Sequence, residues 1–333
     1  MRQSNKGPIS LLKEDNSYLH IYFLSSYKYF FMEANNSRRN FISKAAVIAG
    51  GQVLLAKPLL SMTPFVSGFN ESFTVGQVMD KFISEVPSGI LKETVDTLKS
   101  GHKEMEVKGI VTSAFATVEV IKKTIEIGAN FIIAHEPTFY NHLDDTAWLK
   151  NDSVFEYKND LLQKNNIAVW RNHDYIHRLS PDPVTSSFLE KLNWKQYTTK
   201  AIPSLATLPS MHLEQVIAYL KEKIGIQQVR YIGDLQQDCS KLLFMLGAVG
   251  SKAHFTGLRQ IKPDVLICGE ISEWETAEYI RDARSKGDKV SLIVLGHIAS
   301  EETGSEFMAT WLKSKFPSIN TTFISSGPSL SFL

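Results

Sequence analysis

From about residue 107 onward, short apolar runs recur along the chain. They are VKGIVTSAF from Val107, FIIA from Phe131, IAVW from Ile167, and then VRYIG, LLFMLG, DVLIC, VSLIVLG and TTFIS. Runs of this length bounded by turn residues read as buried strands. The segments between them carry helical stripes. Thr117 stands as an N-cap ahead of Val118, Ile121 and Ile125, and Gly128 marks the stop. Leu213, Val216, Ile217, Leu220 and Ile224 make a second stripe, closed by Gly225. A polar helix is expected around 155–164, and another from about Glu273 to Lys286 that stops at Gly287. IPSLATLPS, from Ile202, reads as a Pro-containing connector. Strands separated by helices of about 10 to 15 residues predict an α/β class with much parallel sheet.

Composition narrows the function classes. The 333-residue chain has 43% hydrophobic and 21% charged residues and a formal net charge of +1. That balance gives no electrostatic footprint for nucleic acid. There is no basic block or amphipathic basic helix to meet a membrane surface. Cys239 and Cys268 are too few for a disulfide framework, lie in or beside apolar runs, and read as buried inert thiols.

The first 70 residues differ from the rest. The segment SRRNFISKAAVIAGGQVLLAKPLLS, from Ser37, pairs Arg38 and Arg39 with a modest apolar run from Ala45 to Leu60, which Lys57 and Pro58 interrupt. A permanent membrane helix needs about 20 unbroken apolar residues, so this run predicts no stable anchor. The pattern resembles a twin-arginine export signal, which predicts an exported or periplasmic protein, with a cytoplasmic one as the alternative. Met32, five residues ahead of Ser37, is an alternative start to Met1.

Strand ends carry the chemistry. His135 and Glu136 follow FIIA directly, His173, Asp174 and His177 follow IAVW, and His297 and Glu301 follow VSLIVLG. In α/β sheets ligands bind outside the carboxyl ends of the strands. His297 and Glu301 are four apart and share a face if a helix begins after Gly296. His173 and His177 have the same spacing. His135 and Glu136 are neighbours, and on an extended backbone they point apart, which suits two ions rather than one. Imidazole mixed with carboxylate fits zinc, iron, manganese or nickel and not calcium. Paired ions of this kind activate water and stabilise developing oxyanions in hydrolysis.

HEPTFY, the HDYIH element, GEISEWETAEYIRDARSKGDKVSLIVLGH and HIASEETG occur in order over roughly residues 73–333. Together they resemble the NIF-three-like family, also labelled GTP cyclohydrolase I type 2. The resemblance implies two related α/β lobes facing a central cleft with two divalent ions, and a toroidal homohexamer. On this reading residues 1–70 are an extension, 71–200 the first lobe and 201–333 the second. The family's ligand positions fall on His135, Glu136, His177, His297 and Glu301. Glu136 stands where a second histidine is common, and His177 where an aspartate is common. The exchange keeps three imidazoles and two carboxylates, and leaves the bridging carboxylate to Glu136, Glu301 or Asp174. His173 and Asp174 are then expected to act behind the ligands.

The resemblance also places Glu270, in CGEISEW, near the cleft, where Glu270 or Glu136 would handle a proton. Trp274 is expected as a wall of the pocket or as core packing. Ser325, Ser326, Gly327 and Pro328 end the last strand, where backbone donors to an anion are possible. The expected function is metal-dependent hydrolysis of a small nucleotide- or phosphoester-like substrate, with a non-catalytic metal-binding scaffold as the alternative. Export would make cytosolic GTP an improbable substrate.

Overall fold

The computed structural model describes residues 72–331 and residue 333. The twin-arginine stretch lies outside the described residues. The chain builds two five-stranded sheets. In the first, β1 (Leu98–Ser100), β2 (Ile110–Ser113), β3 (Phe131–Ala134) and β4 (Ala168–Arg171) are joined by β10 (Thr321–Phe323), in the order β1-β4-β3-β2-β10. In the second, β5 (Leu205–His212), β6 (Arg230–Ile232), β7 (Asp238–Met245), β8 (Val265–Cys268) and β9 (Ser291–Val294) take the order β5-β7-β8-β9-β6. The inner strands β2-β3-β4 and β7-β8-β9 pair in parallel, as the uninterrupted apolar runs require.

Alternate side chains of each strand enter different cores. Ile110, Phe131, Ile133 and Trp170 pack with α1 (Val75–Ser84) and the long helix α8 (His297–Lys315). Val111, Ile132 and Val169 face α2 (Val118–Glu126) and α3 (Ser153–Lys164). In the second sheet, Leu242, Phe244, Val265 and Ile267 meet α4 (Pro183–Lys191) and α5 (Leu213–Ile224). Leu243, Leu266 and Leu292 meet α6 (Ser251–Ile261) and α7 (Glu278–Ser285). Each fully buried Phe, Ile or Leu contributes about 1.5–3 kcal/mol relative to an exposed one.

Several local signals act as read. Thr117 accepts from Val120 N at 3.2 Å, and Gly225 caps α5 in the left-handed region. Other expectations change. The connector from Ile202 contains β5, an edge strand that buries Ala206 and Leu208. Its register shifts between Thr207 and Met211, which lets Pro209 sit without a ladder donor. The expected helix at Glu273 opens as a π-helical turn, Glu273–Ala277, before α7 continues it. Cys239 and Cys268 are buried free thiols, pushed up to about 11 and about 12 by burial first of all. Among the described residues no helix is long and apolar enough to cross a membrane.

The two sheets share α8 and its neighbour α4. Helix α8 leaves the end of β9, packs on the first sheet, and feeds β10 back into that sheet's edge. Helix α4 places Val184 in a first-sheet core and Phe188 in a second-sheet core. These crossings bring the carboxyl ends of both sheets to one place.

Candidate metal centre

The loop after β3 bends where an extended chain was expected. His135 N donates to the Ser113 and Ala114 carbonyls, both at 3.1 Å, and Glu136 N donates to Ala114 O at 2.8 Å. Two successive amides aimed at one carbonyl turn the backbone. His135 and Glu136 therefore converge instead of pointing apart, with Nε2 to Oε1 at 3.7 Å. After β4, Asn172 N donates to Ala134 O at 2.8 Å. The buried carboxylate of Asp96 then receives His173 N at 2.8 Å and Tyr175 N at 2.7 Å. Burial, with the charge of Asp174, pushes Asp96 up to about 6. A 3-10 turn, Ile176–Arg178, follows and sets the His173 and His177 rings 5.0 Å apart. His135 stacks on His173 at 4.8 Å and stands edge-on to His177 at 5.1 Å.

The second sheet delivers the start of α8. His297 and Glu301 lie on one face of the helix as their spacing requires, with Nε2 to Oε2 at 2.9 Å. His297 Nε2 is also 3.2 Å from Glu136 Oε1, and its Nδ1 is 3.4 Å from Glu270 Oε1. The Phe115 ring meets His297 edge-on at 5.6 Å. Ser300 pins the helix start: its hydroxyl donates to His297 O at 2.8 Å and accepts from Gly247 N at 2.9 Å.

One pattern unites the four imidazoles. Each has an oxygen acceptor on Nδ1: Asn172 O for His135 at 3.3 Å, and Asp174 for His173 at 3.0 Å. Asp182 serves His177 at 3.2 Å, and Glu270 serves His297 at 3.4 Å. An acceptor on one nitrogen fixes the tautomer and makes the other nitrogen the ligand, the usual arrangement behind metal-binding histidines.

The charges around these rings are strongly unequal. Burial, and then the charge of His173, holds His135 well below the usual imidazole range, so its ring is neutral. Burial opposes protonation of His297 too, but hydrogen bonds to Glu136, Glu270 and Glu301 push it up to about 12. Burial likewise opposes His177, yet Asp182, with Glu301 and Glu136 behind it, pushes it up to about 9. Against burial, His297 and then His135 hold the Glu136 carboxyl well below its usual range.

His135 is the test of whether a cation fits. Its Nδ1 proton points at the Asn172 carbonyl, so Nε2 carries a lone pair. That atom is buried without a hydrogen-bond partner, and Glu136 Oε1 and Glu301 Oε2 each stand 3.7 Å away. A lone pair held in low dielectric against two carboxylates is costly unless a cation lies between them. The donor atoms fall into two groups, each within a 4.8 Å span: His135-His173-His177 and His135-Glu136-Glu301. Imidazole and carboxylate donors at this spacing fit divalent transition-metal ions.

With this geometry in place, comparison with known proteins gives the family. The profile described as Duf34/NIF3 (NGG1p interacting factor 3) matches residues 87–328, more than half of the chain. The chain belongs to the Duf34/NIF3 family. A "GTP cyclohydrolase 1 type 2 homolog" of Clostridium perfringens is 23% identical over 231 residues, covering 66% of this chain and 84% of that protein. One of the same description from Clostridium acetobutylicum is 27% identical over 224 residues, covering 63% and 79%. Among solved structures, the Staphylococcus aureus hypothetical protein SA1388 matches with a TM-score of 0.62 at 19% identity, covering 79% of this chain and 100% of its own. A Bacillus cereus protein related to NIF3 gives 0.62 at 15% identity, covering 78% and 99%. At such identities the structural matches establish the fold alone.

In this Duf34/NIF3 chain the five residues expected as ligands, His135, Glu136, His177, His297 and Glu301, lie in one cluster. His173, expected behind the ligands, instead has its ring among them. Asp174 does stand behind: its other oxygen accepts from Thr94 Oγ1 at 2.8 Å and Val95 N at 3.1 Å. Glu270, expected as a proton-handling group, occupies the same Nδ1 position on His297 that Asp174 and Asp182 occupy on their rings, but its side chain is 52% exposed. Trp274 is 83% exposed, so it is not core. The turn after β10 already has acceptors, since Ser326 N donates to Glu302 at 3.2 Å and Gly327 N to Ser325 Oγ at 3.1 Å. Sequence reasoning missed Asp96, Arg171, Ser300 and Asp182. Of these, Asp182 carried a signal: it precedes Pro183 and N-caps α4 through Val184 N at 2.9 Å.

Proposed function

We propose that this chain is a dinuclear metal protein that hydrolyses a small electrophilic substrate at the shared ends of its two sheets. The observation that carries the reading is His135 Nε2, buried without a hydrogen bond between two carboxylate oxygens. His135, His173 and His177 would hold one ion, and Glu136, His297 and Glu301 the other, with His135 within reach of both groups. Bound ions of this kind supply Lewis acidity and water activation. The chain's own contribution is orientation: Asn172, Asp174, Asp182 and Glu270 fix the four rings before any ligand arrives. Glu270 is half-exposed beside His297 Nδ1, so its carboxylate can take a proton from, or return one to, a group entering from solvent. The relatives named GTP cyclohydrolase 1 type 2 homologs suggest purine nucleotides as the first substrates to assay.

A crowded donor set also supports a second reading, in which a coordinatively closed centre stores or senses metal without turnover. Elemental analysis joined to a panel of nucleotides and phosphoesters separates the two. Hydrolysis with about two equivalents of metal per chain supports the enzyme. The same metal content with no turnover supports the closed centre, and a metal-free protein that rejects added zinc, manganese and iron removes both. His297→Ala is expected to lose metal while keeping its circular-dichroism spectrum, and unchanged metal content in that variant would remove the site as drawn.

Export by the twin-arginine pair and assembly into a homohexamer belong to the same proposal. Changing Arg38 and Arg39 to lysine is expected to retain the product inside the cell. Sedimentation of the full chain tests the assembly.

A further inference from the structure

We propose that Arg171 is the positioning residue that makes Glu136 a one-oxygen ligand, an inference that rests on the metal-centre reading above. Arg171 ends β4 and its guanidinium is fully buried. Nη2 lies 3.8 Å from Glu136 Oε2. The other oxygen of that carboxylate, Oε1, faces imidazole nitrogens instead: His297 at 3.2 Å, His135 at 3.7 Å and His173 at 4.0 Å. The two oxygens of Glu136 thus have different partners. Oε2 is drawn back toward a fixed positive charge, and Oε1 is presented to rings from both donor groups.

The same guanidinium holds the backbone on either side of Glu136. Nε donates to His135 O at 3.4 Å, and Nη1 donates to His142 O. Nη1 also lies 3.6 Å from Asp144 Oδ2, which in turn lies 3.2 Å from Lys99 Nζ. Lys99, Asp144, Arg171 and Glu136 form a row of alternating charge that runs under the loop and ends at the centre, each buried charge facing its opposite. The planar fork reaches two carbonyls and two carboxylates in fixed directions, which a lysine ammonium does not reproduce. A carboxylate held in this way does not chelate one ion with both oxygens. It would offer a bound ion Oε1, the oxygen that faces the His297, His135 and His173 rings.

The test is a double-mutant cycle on metal affinity in the full chain, read by chelator competition with zinc. Glu136→His supplies a single donor atom, so no choice of oxygen remains for Arg171 to make. Arg171→Gln is expected to weaken zinc binding about ten- to a hundredfold in the parent, the usual cost of losing a partner behind a ligand. In the Glu136→His background the same change is expected to cost clearly less than in the parent, because only the hold on the His135 and His142 carbonyls is then lost. Equal costs in both backgrounds, or no cost in the parent, overturns the proposal, because a merely structural Arg171 acts alike on either side chain. If Arg171→Gln does not fold, Arg171→Lys is read in the same two backgrounds: affinity is expected to fall in the parent and much less in Glu136→His, and equal costs overturn the assignment. A parent chain that binds no zinc, manganese or iron fails at the earlier step, and that result removes the metal centre itself together with this inference.

Discussion

The first sheet reaches the cluster with side chains that leave its strand ends, whereas the second sheet reaches it with backbone. After β3 and β4 come His135, Glu136, His173 and His177, all projecting donors. After β7, β8 and β9 come Gly247, Gly269 and Gly296, none of which offers a side chain. Gly247 and Gly269 form a cradle for the start of α8. A Cβ on Gly247 would stand 2.2 Å from Glu301 Oε1, and one on Gly269 would stand 2.5 Å from Ser300 Oγ. Glu270 N donates to Gly247 O at 2.8 Å and Gly296 N to Gly269 O at 3.1 Å, so the three strand ends are tied to one another. One sheet therefore supplies most of the ligands, while the other fixes the helix that supplies the rest. The two sheets have divided the work between donor chemistry and shape.

The cradle is where the comparison breaks most readily. Gly247→Ala places a methyl group into Glu301 at a backbone φ of +66°, so steric overlap and left-handed strain act together. We expect a loss of about 2–4 kcal/mol of stability together with a loss of bound metal. Gly128 is the control in the first sheet's layer. Its φ is +72° with nothing within 4 Å, so Gly128→Ala meets only the backbone term of about 1 kcal/mol and keeps its metal. Chemical denaturation with metal analysis reads both quantities, and similar behaviour of the two variants would dissolve the distinction between cradle and loop.

Much of this architecture was legible because strands buried on both faces leave a plain record: FIIA, IAVW, DVLIC and SLIV carry no polar alternation. The edge strand β5 left none, since it buries only Ala206 and Leu208 and contains a proline. Helices α1, α4 and α6 leave only short stripes beside stronger signals. In the centre, the His297-Glu301 pair was legible because a helix fixes residues four apart on one face. The convergence of His135 with Glu136 was not, because it depends on two amides sharing the Ala114 carbonyl across the sheet. For the same reason nothing in the sequence marks Asp96 or Arg171. Each acts on residues about 30 to 80 positions away, and a local pattern holds no record of such a contact.

A smaller effect separates the ways α8 is held by the two sheets. Ser300 Oγ is the acceptor for Gly247 N, so Ser300→Ala leaves a buried N–H without its partner. The expected cost is about 1–3 kcal/mol. On the first sheet, Thr112 Oγ1 donates to Ser305 O at 2.8 Å, inside the helix. That carbonyl has a helical neighbour to accept from, and Thr112→Val keeps the shape, so a cost of about 1 kcal/mol or less is expected. Equal losses in equilibrium unfolding would mean that backbone satisfaction, and not the cradle, sets the strength of both attachments.

The far end of the same helix gives the smallest and most pH-sensitive effect. Trp311 Nε1 donates to Glu85 Oε2 at 2.9 Å, and Lys315 Nζ lies 2.7 Å from Glu85 Oε1, which anchors α8 to the residue that ends α1. Lys315 first, with Trp311 and Lys81, holds the Glu85 carboxyl down at about 2 from a usual 4.5. The folded value lies below the unfolded one, so this contribution is complete above pH 4.5 and disappears as pH falls toward 2. Glu85 is partly open to water, and screening limits the contribution to about 1 kcal/mol or less. Glu85→Gln is therefore expected to melt slightly below the parent at pH 7, with the gap closing as pH drops from about 5 toward 3. A gap that stays constant across that range would show that the anchor is packing by Trp311 and not charge. The two ends of α8 would then differ in kind, with carboxylates and imidazoles at one end and an apolar seat at the other.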